Sequence, residues 1–289
     1  MKNFKIQFCR MLSQKGFRIC FIVVLMISFV NSYLLLQHCG NYRGYLIDLR
    51  DTAILNFYSP LVDIFHLSSM LLLLLPYSLS NTKSSNSYYN LRFNAKMSYY
   101  EYCVRGMFVS FAGTFIAFFA PLVVGILLNG IFFGSTGILG SGFSIFELNG
   151  ASDIVGSNCN DNVMNPGYCI IPIHFYLKHS QMYNMLYAAL YGMVMGGLAM
   201  LFFQVSSFFK KKSHVLVLTY LIYAILLCAQ TYVDRYCVMK YNINFFAYIT
   251  VGYNMNLYPF YMALFLLFIL CMSILLIRIQ ERKNKFFNK

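Results

Sequence analysis

Six predominantly apolar runs of about 20 residues govern what this chain can fold into: 19–36, 61–79, 106–128, 182–209, 215–232 and 258–277. An α-helix rises about 1.5 Å per residue, so each run suits the roughly 30 Å hydrocarbon layer of a bilayer. Hydrocarbon offers no partner to a backbone N–H or C=O, and a single segment satisfies both only as a helix. The expected fold is therefore all-α and polytopic, with six transmembrane helices. Six crossings return the chain to the side on which it began. Of the 22 basic residues, 17 precede the first run, join the second to the third or the fourth to the fifth, or follow the sixth. Only Glu101 and Glu281 of the nine acids share that face. Such a bias marks the cytoplasmic side of a membrane, so both termini are expected inside.

Hydrophobic residues make up 59% of the chain and charged residues 11%, which excludes an ordinary water-soluble globule. The net charge of +13 is then a matter of topology rather than of nucleic-acid contact. With no Trp, the 24 Tyr furnish the interfacial belts. The first run is read as a retained span, because it exceeds a signal-peptide core and Ser32, Tyr33 and Leu34 offer no small-residue cleavage site. Gln37 and His38 before Cys39 likewise do not suit lipid attachment. Residues 1–18 read as an amphipathic interfacial helix: Phe4, Phe8, Met11 and Leu12 share one face, while Lys5, Gln7, Arg10 and Gln14 mostly lie elsewhere. Residues 19–289 form the six-span domain.

The second span carries a start signal. Ser59 is placed to cap, Pro60 suits the first helical position, and Asp63 in the first turn complements the helix dipole. Asp63 and His66 have a second reading, as groups lining a pathway. Three outer segments remain. Residues 37–59 are short and polar. Residues 129–181 are too long for a passive connection and are expected to form an outer cap. Residues 233–257 contain an apolar stretch, 245–251, too short to cross a bilayer but able to re-enter it. In the cap, Cys159 and Cys169 flank a turn-rich segment with Asn160, Asp161, Asn165, Pro166 and Gly167, which favours a disulfide between them. Cys39 and Cys237, also expected outside, leave other pairings open.

Chemistry is sparse. The chain has no phosphate-binding G-x-x-x-x-G-K-[ST] loop, no H-E-x-x-H, no C-x-x-C and no G-x-S-x-G elbow. His174 and His179 are a weak metal pair, and neither a metal nor a catalytic residue is assigned. The third to sixth spans contain no Asp, Glu, Lys, Arg or His, whereas ion-coupled carriers need such groups near the midplane. An energy source outside the membrane is thus favoured. Small residues recur every fourth position at Ala188, Gly192 and Gly196, at Gly106, Ser110 and Thr114, and at Gly113, Ala117, Pro121 and Gly125. Such stripes permit close helix packing, within one chain or across a dimer. Pro121 is expected to kink or locally open the third span.

The cytoplasmic link at 81–105 is the most distinctive piece. Tyr88, Tyr89, Asn90, Leu91, Arg92 and Phe93 form a short aromatic and basic segment, able either to dock a partner or to anchor at the headgroups. Lys96, Met97, Ser98, Tyr99 and Tyr100 follow, and Arg105 enters the third span. This arrangement, with the basic N-terminal helix and six spans, resembles the permease subunits of type 2 ATP-binding-cassette exporters, in particular those of bacterial peptide and bacteriocin systems. The resemblance implies that residues 88–93 are the coupling helix and that residues 233–257 match the family's re-entrant outer helices. It also implies a second permease, identical or related, and two cytoplasmic ATPase subunits that carry the ATP and Mg. A competing reading is a membrane-embedded peptide sensor or immunity protein without transport activity.

Overall fold

The computed structural model describes residues 2–41, 54–55, 59, 61–82, 99–133, 180–236, 249–250 and 259–287. These residues are helical or in short turns, with no strand among them. The helices are α1 (Lys2–Ser13), α2 (Lys15–Asn41), α3 (Val62–Leu72), α4 (Tyr99–Phe133), α5 (Ser180–Ser206), α6 (Lys212–Tyr236) and α7 (Pro259–Phe287), with a single 3₁₀ turn at Ser78–Asn81. Within α2, α4, α5 and α7 lie four segments long and apolar enough to cross a bilayer: Lys15–Leu34, Tyr100–Asn129, Gln181–Ser206 and Met262–Glu281. Shorter apolar stretches are Val62–Leu72 and Lys212–Ile225.

Packing follows side-chain size. α5 is the hub, 72% buried along its apolar stretch against 22% for α7 and 28% for α2. Its glycines explain why it occupies the centre. Gly192 lies against the ring of Phe115 and Gly196 against Phe111, including the Phe111 carbonyl, so the two backbones approach as larger side chains would not allow. A second stripe on α4 faces the other way, with Gly113 against Met11 of α1 and Gly125 against Ser28 of α2. The small-residue stripes thus serve contacts within the chain. Phe65, Phe118 and Tyr191 join α3, α4 and α5 in an aromatic core, with ring centroids 5.1 to 6.3 Å apart.

Residue pairs across the helices fix their directions. Gly125 with Ser28 and Asn129 with Ser32 make α4 parallel to α2, whereas Gly192 with Phe115 and Gly196 with Phe111 make α5 antiparallel to α4. His66 with Tyr191 and Ser78 with Ala199 set the second span parallel to α5. Gly197 beside Ile269 and Gln204 bonded by Gln280 do the same for α7.

Two expectations about local structure need correction. Pro121 does not open α4, which runs as one helix from Tyr99 to Phe133; long helical flanks held by α2 and α5 absorb its one missing N–H. In α1, the polar Gln7 is fully buried together with Met11, while Phe4 and Leu12 are 39% and 38% exposed. Positions 7 and 11 stack one turn apart, and packing on α4 selects that edge of the helix rather than the centre of its apolar face.

Candidate functional site

The second span is not one helix, and the place where it breaks is the most densely bonded polar site among the described residues. Pro76 has no N–H to give the Leu72 carbonyl, and its ring crowds that oxygen. α3 therefore ends at Leu72. The chain continues in tight turns, with Leu74 N–H donating to Leu71 O and Leu75 N–H to Leu72 O, each at 3.1 Å. The 3₁₀ turn Ser78–Asn81 follows. Irregular backbone inside a membrane-type bundle persists only where surrounding protein replaces the lost helical bonds.

Here α4 and α5 supply the replacements. Leu73 O accepts the Thr114 hydroxyl at 3.4 Å and lies 3.5 Å from that of Ser78. Ser78 donates to Ala199 O at 2.9 Å; Ser110 reaches the same carbonyl at 3.1 Å, and the two serine oxygens are 3.0 Å apart. From the far side Ser206 donates to Ser78 O at 2.9 Å. All four hydroxyl residues are fully buried. The Tyr77 ring stacks on Phe203 at 5.6 Å, and Phe203 in turn covers Gly106. Gly16, at the start of α2, sits so close to the Leu75 carbonyl that a Cβ there would collide with backbone. One turn further along the bundle, Gln280 donates to Gln204 O at 2.9 Å and also bonds Ser207, while Gln204 donates to Cys103 O at 3.2 Å. Amides thereby tie α4, α5 and α7 next to the break.

At the opposite end of the bundle Asn31, Ser32, Ser59 and Asn129 form a second polar group. Ser59 donates to Asn31 Oδ1 at 2.5 Å and Ser32 bonds Asn129. The expected cap is therefore absent: the N-cap position of α3 falls on Leu61, and the Ser59 hydroxyl is drawn to α2. A small cavity with room for about one water lies beside this group, lined by Ser28, Gly125, Asn129 and Asn184.

His66 is buried, not at an open edge, while Asp63 is exposed. The imidazole Nδ1 is 3.3 Å from the Tyr191 hydroxyl and Nε2 is 3.0 Å from Thr250 Oγ1. Its ring also stacks on Tyr191 at 5.7 Å.

Residues 88–93 of the expected coupling segment lie outside the described residues, as do Cys159, Cys169 and Cys237. Cys39 falls in the last part of α2. Cys9, Cys20, Cys103, Cys228 and Cys271 take part in no disulfide. Ala188, Gly192 and Gly196 lie on α5, the two glycines against α4. No group of three or more metal-ligating side chains occurs among the described residues. The break itself escaped the hydropathy reading, because the leucine run before Pro76 and the Tyr77-Ser78-Leu79 after it are apolar enough to pass for one helix. The signal was a proline four residues past the last helical residue, followed by serines. Chemically the site offers hydroxyls and carbonyls in exchangeable pairs: Ser78 stands within hydrogen-bond distance of Leu73 O, Ala199 O and Ser110 Oγ. No family model matches the chain, and no curated protein or solved structure matches it either.

Proposed function

We propose that this chain is the membrane-embedded permease subunit of a type 2 ATP-binding-cassette exporter. It crosses the cell membrane six times with both termini in the cytoplasm, and with a second permease it forms a pathway for a peptide, lipid or drug-like substrate. The observation that carries this reading is the clamped break in the second span. It stands immediately before the link that holds residues 88–93, so a displacement of the link reaches a buried hydrogen-bond network instead of a slack loop. The hydroxyls there have alternative acceptors, as an element with two arrangements requires.

Two further observations support the reading. α2, the second span, α4 and α5 alternate in direction, and α7 runs parallel to α5, which fits a chain that crosses repeatedly. Among the described buried residues there is no Asp, Glu, Lys or Arg, so a coupling ion would find no charged site in the core. The energy is assigned to ATP bound with Mg on two partner ATPase subunits, and this chain performs no hydrolysis of its own. Closure of those subunits would move the link as a lever and switch access between the two faces.

The test replaces Tyr89, Leu91 and Phe93 by Ala. Membrane insertion should stay near wild type, while co-purification of an ATPase and transport-linked ATP hydrolysis should fall, since burial of such side chains is worth about 1.5–3 kcal/mol each. Retention of both by the triple variant would refute the coupling role. Isolation of the wild-type chain with no ATPase under conditions that preserve membrane complexes would favour a sensor or immunity protein.

A further inference from the structure

Ser28 does not do what Ser32 does one turn later on the same helix. A hydroxyl inside a helix ordinarily donates to a carbonyl three or four residues back. Ser32 does so toward Ser28 O at 3.0 Å, as Thr219 does toward Val215 O and Ser273 toward Ile269 O, each at 2.8 Å. Ser28 Oγ, in a side chain 4% exposed, has no hydrogen-bond partner among the described residues. It faces α4 instead, 3.3 Å from the place that a Cβ on Gly125 would take. Gly125 and Ser28 both border the small cavity beside the outer polar group, and Asn129 of α4 and Asn184 of α5 supply its other polar walls. The rest of the wall is aliphatic. A hydroxyl turned from its own helix into such a space loses hydration and local bond alike, unless the space holds a partner for it.

We propose that the partner is one water molecule, bound by Ser28 Oγ and the amides of Asn129 and Asn184, which tethers α2 to α4 and α5. The space has room for about one water, and three polar side chains meet the number of partners that a buried water needs. No charged side chain lines it, so a bare cation would carry its whole charge in among aliphatic groups. Water is neutral and both donates and accepts, as do a hydroxyl and an amide. Gly125 keeps the place open, since a Cβ there would also come within 2.9 Å of Ser28 Cβ. The tether matters most for α2, only 28% buried along its apolar stretch, and it adds to the Ser32–Asn129 and Asn31–Ser59 bonds at the same end. The inference is independent of the transport reading.

Two measurements on the full chain test it. A structure in lipid nanodiscs, at a resolution that shows ordered waters, should carry a peak within hydrogen-bond reach of Ser28 Oγ and of at least one of the two amides. Equilibrium unfolding in bicelles should show Ser28→Ala lowering the folded-to-unfolded ratio about threefold, because the water loses a partner. A dry cavity reverses the sign: Ala then removes a buried hydroxyl that bonds nothing and is also the better helix former. Exchange of sodium for potassium or choline in the buffer should leave wild-type unfolding unchanged. Absence of the peak, an unchanged or raised ratio in Ser28→Ala, or stability that requires sodium would each overturn the proposal, the last in favour of a bound cation. Should Ser28→Ala fail to fold, the wild-type peak and the cation exchange still decide.

Discussion

Replacing Ser78 and Ser110 by Ala, singly and together, tests whether hydroxyl groups hold the broken second span. Ser78→Ala removes the 2.9 Å donation to Ala199 O and the weaker approach to Leu73 O. Leu73 O still keeps Thr114, and Ala199 O still keeps Ser110, so no buried carbonyl loses its last partner. The cost should therefore be that of one net hydrogen bond, about 1 kcal/mol or somewhat less in a membrane bundle. Ser110→Ala leaves Ser78 in place on Ala199 O and should cost about 0.5 kcal/mol. The double variant removes both side-chain donors from Ala199 O, which keeps only its helical bond from the Phe203 N–H. It should exceed the sum of the singles by about 0.5 kcal/mol, the coupling expected of contacting residues in one network. Equilibrium unfolding in bicelles of the four proteins closes the cycle. If Ser78→Ala is neutral or stabilising and the coupling is zero, the break is held by apolar packing of Tyr77 and Phe203 alone, and the hydroxyl argument fails.

Two further outcomes follow from backbone proximity. Gly16→Ala places a methyl on the Leu75 carbonyl, which cannot move without disturbing the turns around Pro76; unfolding measurements should show a loss of about 1–3 kcal/mol. On α5, Gly196→Ala puts a Cβ at 3.0 Å from the Phe111 carbonyl and should destabilise, whereas at Gly197 the nearest atom is 3.7 Å away. Gly197→Ala should thus be neutral within about 0.5 kcal/mol or slightly stabilising by helix propensity, and equal effects at the two sites would refute the assigned face of α5.

Hydropathy and residue spacing determined the helical elements. The third run, 106–128, falls inside Tyr99–Phe133, and the fifth, 215–232, falls inside Lys212–Tyr236. This was legible because in an apolar solvent the backbone has no alternative to the helix, whatever its neighbours do. The spacing of Gly192 and Gly196 likewise marked a packing face, since absence of side-chain volume is a property of the residue itself. Tertiary structure alone decided which partner that face meets, which edge of α1 is buried, and where Ser59 donates. It also decided that Pro76, not Pro121, ends a helix. Both prolines lack the same N–H, but α4 is 35 residues long and gripped on two sides, while α3 has 11 residues and buried hydroxyls of α4 and α5 wait to bond the exposed carbonyls. Those hydroxyls come from positions 114 and 206, distant in sequence from position 76, and their effect exists only once the helices are packed. The same holds for His66, whose partners Tyr191 and Thr250 lie more than a hundred residues away in the chain.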